Sequence, residues 1–208
     1  MTILEREQKL LVTPLGWTPR ALIAAASVLM LLSFAAPLWN ITMFAPQYGG
    51  GLRMDVYSYK LEGGNGGQDI KEINVLNHYI GMRDITVEDF TQFKWLPFAI
   101  GAITLLFLRA AVMGEVAQLV DVLVLFAYFG LFSLWSFGYT LYRYGHDLAP
   151  TAAVKVAPFM PPLFGHEKMA NFDIYSYPGA GSYLMAAVLA VLLIAFGAAL
   201  RLRKAATA

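Results

Sequence analysis

Apolar residues run along this chain in four long stretches, which more polar segments separate. The stretches cover about residues 21–39, 96–113, 119–141 and 181–200. Each approaches the roughly 20 apolar residues that an α-helix needs to cross the hydrocarbon of a bilayer. The pattern therefore predicts an all-α membrane protein with four transmembrane helices, which form a single membrane domain over residues 1–208.

Two of the segments between the spans are long loops, at residues 40–95 and 142–180. In the first loop, apolar and polar positions alternate from Leu52 to Leu61, and the glycine-rich stretch Gly63–Gly67 follows. Alternation before a glycine turn is typical of a β-hairpin. We therefore expect a small hairpin in the first loop, with Gln68–Ile73 as its returning strand.

The remainder of the two loops carries weaker signals. The segment Ile73–Met82 predicts a short helix or turn that Gly81 ends. Thr86 and Asp89 fit a capping box, which predicts the start of the helix that runs into the second span. Prolines interrupt regular elements, so we expect the second loop to be irregular; its prolines are Pro150, Pro158, Pro161, Pro162 and Pro178.

The composition agrees with a membrane protein and excludes several kinds of site. Of the 208 residues, 58% are hydrophobic and 14% are charged, whereas a globular domain carries about 25% charged residues. The chain contains no cysteine, which excludes disulfides and thiolate metal sites. Its formal net charge is +1, so there is no electrostatic argument for nucleic acid as a partner.

Basic residues near the ends of the spans predict the orientation. They precede the first span, end the second and follow the fourth: Arg6, Lys9, Arg20, Arg109, Arg201, Arg203 and Lys204. Segments rich in Lys and Arg beside a span stay in the cytoplasm. We therefore expect a multi-pass membrane protein with both termini cytoplasmic and both long loops on the outer side of the membrane. Thr2 and Glu5 also fit a capping box, which predicts a short interfacial helix before the first span.

The two long loops share a five-residue pattern, Asp-[Val/Ile]-Tyr-Ser-Tyr. It occurs at Asp55–Tyr59 in the first loop and at Asp173–Tyr177 in the second, and each loop also contains an Ala-Pro pair before it. The repetition predicts two tandem helix hairpins related by an axis along the membrane normal, with Asp55 and Asp173 in equivalent places. The alternative is a chance recurrence of aromatic residues beside a membrane interface.

Histidine and methionine are the residues that could bind a soft metal ion in a chain without cysteine. His78 is followed by Met82 in the first loop, and His166 is followed by Met169 in the second. Thioether sulfur and neutral imidazole are ligands for copper(I). These four residues are therefore the candidate metal ligands, with copper as the candidate ion. The alternative is that each histidine makes a structural hydrogen bond in a packed loop.

The third span is rich in aromatic residues. Tyr128, Phe132, Trp135 and Tyr139 follow one another at helical spacing, with Gly130 and Gly138 between them. Such a surface is typical of packing inside a helix bundle. It also fits an interface with another membrane subunit, or a lipid or quinone surface, and we take the four aromatic residues as the candidate partner interface.

Known catalytic motifs are absent from the sequence. It contains no G-x-S-x-G, no P-loop, no H-E-x-x-H and no dinucleotide fingerprint. The ionisable residues inside the spans, Arg109 and Asp121, lie near span ends rather than at the midplane where ion pathways place them. We therefore expect a protein that is neither an enzyme nor a transporter.

Two segments resemble a known group of proteins. APQYGGGL, at Ala45–Leu52, and INVLNHYIGM, at Ile73–Met82, resemble parts of small four-span bacterial membrane proteins associated with periplasmic copper enzymes such as nitrous oxide reductase. The resemblance covers mainly the first loop and its flanking helices, about half of the chain. It implies an accessory role in assembling or anchoring a copper enzyme at the outer face of the membrane that the protein spans, and it identifies no ligand.

Together these observations predict an accessory protein of a bacterial inner membrane. Its periplasmic loops dock another membrane or periplasmic subunit, and the association assists the assembly or anchoring of a copper enzyme. The alternative is a small structural subunit of a respiratory or photosynthetic membrane complex. The first function needs the histidines and methionines of the loops to converge, whereas the second needs only a complementary shape.

Overall fold

A computed structural model describes residues 11–169 and 171–207, and describes side chains as far as Arg201 in the last helix. The capping box at Thr2 and Glu5 lies outside the described residues. The helices are α1 (Trp17–Leu32), α2 (Gln68–Tyr79), α3 (Gln92–Met113), α4 (Val116–His146) and α5 (Ala180–Thr207). The strands are β1 (Trp39–Ala45), β2 (Tyr48–Val56), β3 (Leu61–Gly63), β4 (Gly165–Met169) and β5 (Phe172–Pro178).

Within the described residues, four helical segments are long and apolar enough to cross a membrane. They are Trp17–Ala35, which is α1 with a short 3-10 extension, then Gln92–Met113, Val116–His146 and Ala180–Arg201. The four spans expected from the apolar stretches are therefore confirmed as helices of sufficient length and hydropathy. The third exceeds its expected end at residue 141, because α4 continues to His146.

The expected all-α class is too narrow, because both long loops contribute to one antiparallel sheet. The strand order is β3-β2-β1-β5-β4, so β1 of the first loop pairs with β5 of the second. Every second residue of β1 is buried, from Trp39 to Ala45, while Asn40 and Thr42 point to the other face. This half-buried alternation is what a strand with one covered face requires.

Two expectations about the loops are wrong. The segment Gln68–Ile73 is not a strand: it begins α2, whose buried Ile73 and Leu76 lie three residues apart on one helix face. The second loop is not irregular throughout, because β4 and β5 form a hairpin within it. Four of its five prolines precede β4, and Pro178 ends β5, so none of them interrupts the ladder. The expected end near Gly81 is confirmed, since Gly81 has φ of 80° directly after α2.

The two copies of the shared five-residue pattern lie in different local structures. Asp55 pairs with Asn40 near the end of β2, and the chain then turns at Tyr57–Tyr59 toward β3. Asp173 pairs with Phe44, and the whole second copy lies in β5, which leads directly into α5. The tandem hairpin arrangement is not confirmed, and the two aspartates do not occupy equivalent positions in the sheet.

The chain divides into two compact units. Of the described residues, the first unit comprises residues 11–33, Phe98–Phe132 and residues 183–207. The guanidinium of Arg20 caps the end of α3, donating from Nε to the Ala111 carbonyl at 2.7 Å and from Nη2 to the Val112 carbonyl at 2.8 Å. Leu15 also donates to the Gly114 carbonyl. These bonds place the segment before α1 and the α3–α4 connection at the same end of this unit.

The second unit comprises Phe34–Pro97 and Ser133–Ser182, and it contains the sheet and α2. Its core lies between one sheet face and the side chains of α2, with Phe93 and Phe137 packed against the same cluster. Trp39 donates its indole N–H to Ser176 Oγ at 2.8 Å, which ties β1 to β5 inside this core.

Candidate functional site

The sheet has one covered face and one face that we call the open face. Side chains on the open face alternate with the buried ones along each strand. One row runs across four strands through Arg53, Thr42, Tyr175 and His166. The open face comprises Asn40, Thr42, Phe44, Arg53, Asp55, Glu62, His166, Lys168, Asp173, Tyr175 and Tyr177.

Aromatic rings on the open face hold one another in fixed positions. Tyr175 lies between two rings: Phe44 meets it edge-on at 5.6 Å, and the His166 imidazole stacks on it at 4.4 Å. Gly51, with φ of 79°, leaves room for Phe44, because a Cβ there would lie 2.8 Å from the Phe44 ring. Replacing this glycine would strain the backbone and displace the ring. The row Phe44–Tyr175–His166 is therefore a preorganised surface.

A hydrogen bond between His166 and Asp173 fixes the imidazole further. Nε2 of His166 lies 2.9 Å from Oδ1 of Asp173, and both side chains are partly exposed. An ionised carboxylate only accepts hydrogen bonds, so Nε2 carries the hydrogen. In the neutral imidazole the lone pair is then on Nδ1. The pair thus presents an oriented imidazole beside a negative charge.

The opposite edge of the open face carries a charged network. Arg53 forms an ion pair with Asp55 at 2.8 Å, and Asn40 donates to the same carboxylate at 2.5 Å. The hydrogen bond to Asp55 raises the pKa of the Arg53 guanidinium. Next to it, Lys60 donates to Glu62 at 2.9 Å, which lowers the pKa of that carboxyl. Charges of both signs are therefore paired across this edge.

A shallow cleft of about 330 Å³ lies at one end of the open face. Apolar and polar side chains both line it, and the lining residues are Phe44, Ala45, Pro46, Lys168, Asn171 and Asp173. The cleft adjoins the ring row and the His166–Asp173 pair, so it extends the same surface.

The structure separates the candidate metal ligands. His78 is exposed near the end of α2, which packs against β2 and β3, and Met82 follows the Gly81 turn. His166 lies on β4, at the other edge of the sheet. Three strand spacings between β2 and β4 amount to about 14 Å. His78 and His166 therefore do not share a site.

His166 and Met169 also fail to converge. They lie three residues apart in β4, so their side chains point to opposite faces. Met169 packs against the core cluster, whereas His166 is on the open face. Among residues 11–169 and 171–207, no group of three or more His, Asp or Glu side chains could hold a metal ion. The four residues therefore do not fit a single copper(I) site.

The candidate partner interface lies on α4. Tyr128 and Phe132 belong to the first unit, and Trp135 and Tyr139 to the second. All four side chains are exposed. Trp135 and Tyr139 stack with ring centroids 5.9 Å apart. All four rings therefore keep exposed surface that lipid or another molecule can contact.

Sequence reasoning missed most of the open face. It included Tyr175 only as part of the shared five-residue pattern, it did not single out Phe44 or Arg53, and it did not pair His166 with Asp173. A signal was present, because Asp173, Tyr175 and Tyr177 alternate with Ile174 and Ser176, as half-buried strand residues do. The prolines before β4 obscured this alternation.

No protein-family model matches the chain, and no curated protein sequence matches it.

Proposed function

We propose that this protein is an accessory protein of a bacterial inner membrane whose open face docks a periplasmic protein. The observation that carries the proposal is the rigid row of Phe44, Tyr175 and His166 on an exposed sheet face. Tyrosine and arginine are enriched among the residues that dominate binding energy at protein interfaces. Rings that are already fixed lose little conformational entropy when a partner covers them.

The charges of the open face support a protein rather than a polyanion as the partner. Arg53 and Lys168 are accompanied by Asp55, Glu62 and Asp173, so neither sign dominates. Nucleic acid requires a basic surface, which this face does not offer. Charges of both signs around aromatic rings match the polar rim and apolar centre of a protein interface.

The proposed orientation follows from the basic residues and from one structural contact. Arg20 in the first turn of the first span and Arg109 near the end of the second favour the cytoplasm at those ends. The Arg20 hydrogen bonds hold the start of the first span beside the end of the second. Two spans separate these points along the chain, so both points must lie on the same side of the membrane. The open face then belongs to the periplasmic side.

The resemblance of Ala45–Leu52 and Ile73–Met82 to proteins associated with copper enzymes makes such an enzyme the proposed partner. Because the four candidate ligands do not converge on one site, the proposal covers docking and anchoring without a shared copper site. Copper binding by His78 and Met82 alone stays a prediction of its own. It is tested by titrating copper(I) into the purified protein and the His78→Ala variant against a competing chelator. Equal affinities would remove His78 from any copper site without affecting the docking proposal.

The docking proposal is tested by purifying the tagged protein from its native membrane in mild detergent and quantifying co-purified proteins by mass spectrometry. The Tyr175→Ser variant should co-purify with no more than about one tenth of the partner that the wild type retains, because a loss of 1.4 kcal/mol in binding free energy lowers the affinity tenfold. Tyr79→Ser is the matched control, because Tyr79 is an exposed tyrosine on α2, away from the open face. Both variants must keep the thermal stability of the wild type.

If Tyr175→Ser and the wild type retain the same proteins in equal amounts, the open face is not the docking surface. If a large complex is retained instead through the aromatic residues of α4, the structural-subunit alternative is correct. The Tyr139→Ser variant distinguishes these cases, because it changes the exposed surface of α4 and leaves the open face intact.

A further inference from the structure

Helix α4 is longer than a membrane requires. Its 31 residues extend over about 46 Å at a rise of 1.5 Å per residue, whereas the hydrocarbon core is about 30 Å thick. Only Gly114 and Glu115 separate α3 from α4, so α4 starts beside the membrane boundary at which α3 ends. Counting about 20 residues from Val116 places the far boundary of the hydrocarbon near Trp135.

The part of α4 beyond this boundary has two different faces. Phe137, Leu141 and Tyr144 point inward, and Phe137 contacts Trp39 with ring centroids 5.4 Å apart. The other face carries a stack that we call the aromatic row: Trp135, Tyr139, Tyr142 and His146. Successive ring centroids in this row are 5.9, 6.5 and 3.7 Å apart.

The aromatic row exposes large ring surfaces at the level where the hydrocarbon ends. Trp135 is 63% exposed and Tyr139 is 54% exposed. Indole and phenol side chains join an apolar ring to a polar group, and the headgroup layer solvates both parts. Trp and Tyr concentrate in that layer for this reason. Such bulky rings also prevent the close helix approach that small residues allow, which disfavours a second copy as the occupant.

We propose that the aromatic row is a phospholipid contact. Trp135 and Tyr139 lie at the headgroup level of the leaflet that holds the end of α4, and His146 lies beyond it in water. His146 is held there by its stack on Tyr142 and by its Nδ1, which lies 3.0 Å from the Tyr142 carbonyl. This inference concerns α4 alone and does not depend on docking at the open face.

The depth is measured with spin labels. Because the chain contains no cysteine, single cysteines at Leu131, Tyr139 and His146 give unique labels, which are examined in phosphatidylcholine–phosphatidylglycerol vesicles. Collision with oxygen should dominate at 131, and collision with a water-soluble nickel complex should dominate at 146. The label at 139 should be intermediate. A label at 146 that behaves like the one at 131, or a label at 139 that neither reagent reaches, would overturn the proposal.

The occupant is identified separately in the native membrane, where any protein partner is present. A photo-crosslinking amino acid at Tyr139 should form an adduct whose mass increase equals one phospholipid. The same amino acid at Tyr144, which is buried, is the control and should give no lipid adduct. A protein adduct at Tyr139 in place of the lipid adduct would show that a subunit covers the row and would refute the inference.

Discussion

Substitution of Gly145 by alanine should destabilise the protein, although alanine is the better helix former. Gly145 lies in the last turn of α4 and touches the backbone of the segment before β4. An added Cβ would overlap the Phe159 carbonyl oxygen and lie 2.9 Å from Pro161 Cδ. The Gly145 carbonyl also accepts a hydrogen bond from the Phe159 N–H at 3.0 Å. The close approach, rather than any unusual backbone angle, requires glycine here.

The expected magnitude combines three contributions. Overpacking costs about 1–3 kcal/mol, and loss of the Phe159 hydrogen bond costs about 1 kcal/mol. Higher helix propensity offsets about 1 kcal/mol of this. The free energy of unfolding should therefore fall by about 1–3 kcal/mol. Gly138→Ala is the matched control in the same helix, because its Cβ would meet only Leu163 at 3.9 Å, and it should be neutral or slightly stabilising.

The measurement is thermal unfolding of both variants and the wild type in the same detergent, followed by size-exclusion chromatography. For a chain of this size, each kcal/mol corresponds to about 2–4 °C in Tm. Gly145→Ala should unfold several degrees below Gly138→Ala. If Gly145→Ala were as stable as the control, the contact between α4 and Phe159 would not be as close as described, and the reasoning would fail.

Two further substitutions test the polar interior and the pH dependence of the second unit. Asp69→Asn should lower the free energy of unfolding by about 1–3 kcal/mol, because the two oxygens of the buried carboxylate accept from the Arg53 N–H at 2.8 Å and from the Asn65 side-chain amide at 2.7 Å. Asparagine has one acceptor oxygen and can keep only one of these bonds. The exposed Asp84→Asn should match the wild type in the same thermal assay. Tyr48→Phe removes the hydrogen bond that lowers the pKa of Glu72. Because the pKa of Glu72 is lower in the folded state, its ionised carboxylate stabilises the fold above the unfolded pKa of about 4.3. This stabilisation is lost as pH falls through the folded pKa. The Tm difference between the wild type and Tyr48→Phe should therefore shrink from pH 7 to pH 3. A difference that grew in acid would contradict this assignment.

Hydropathy is sufficient to predict the four membrane-length helices, because each apolar stretch is long and nearly free of charge. Local patterns fail where a segment's neighbours decide its structure. Gln68–Ile73 follows a glycine turn and resembles a returning strand, but Gly67, with φ of 91°, precedes a helix instead. Asp69 in the first turn favours that helix through its N-terminal dipole. The chain does turn at these glycines, but the turn joins β3 to α2 instead of closing the expected hairpin.

The open face could not be predicted because it depends on pairing between distant segments. β1 contributes Phe44 and β5 contributes Tyr175, and each strand alone shows only alternation. Their register places the two rings together. The prediction that His166 and Met169 share a site was wrong for a related reason. A spacing of three residues brings two side chains together only in a loop or a helix. In a strand, that spacing separates the two side chains onto opposite faces.

The pairing of β1 with β5 has a consequence for how the protein is made. The paired residues are about 130 residues apart, so at a synthesis rate of 5–20 residues per second β5 is synthesised roughly 7–26 seconds after β1. During that time β2 can pair with β1, but the other edge of β1 keeps its N–H and C=O groups open to foreign strands. Gly179 and Gly181 then donate to the Leu38 and Pro37 carbonyls as the last helix begins. The sheet is therefore completed late, when β5 pairs with β1. A chain that stops before residue 172 would leave the N–H and C=O groups on that edge of β1 unpaired, where chaperones and proteases can recognise them.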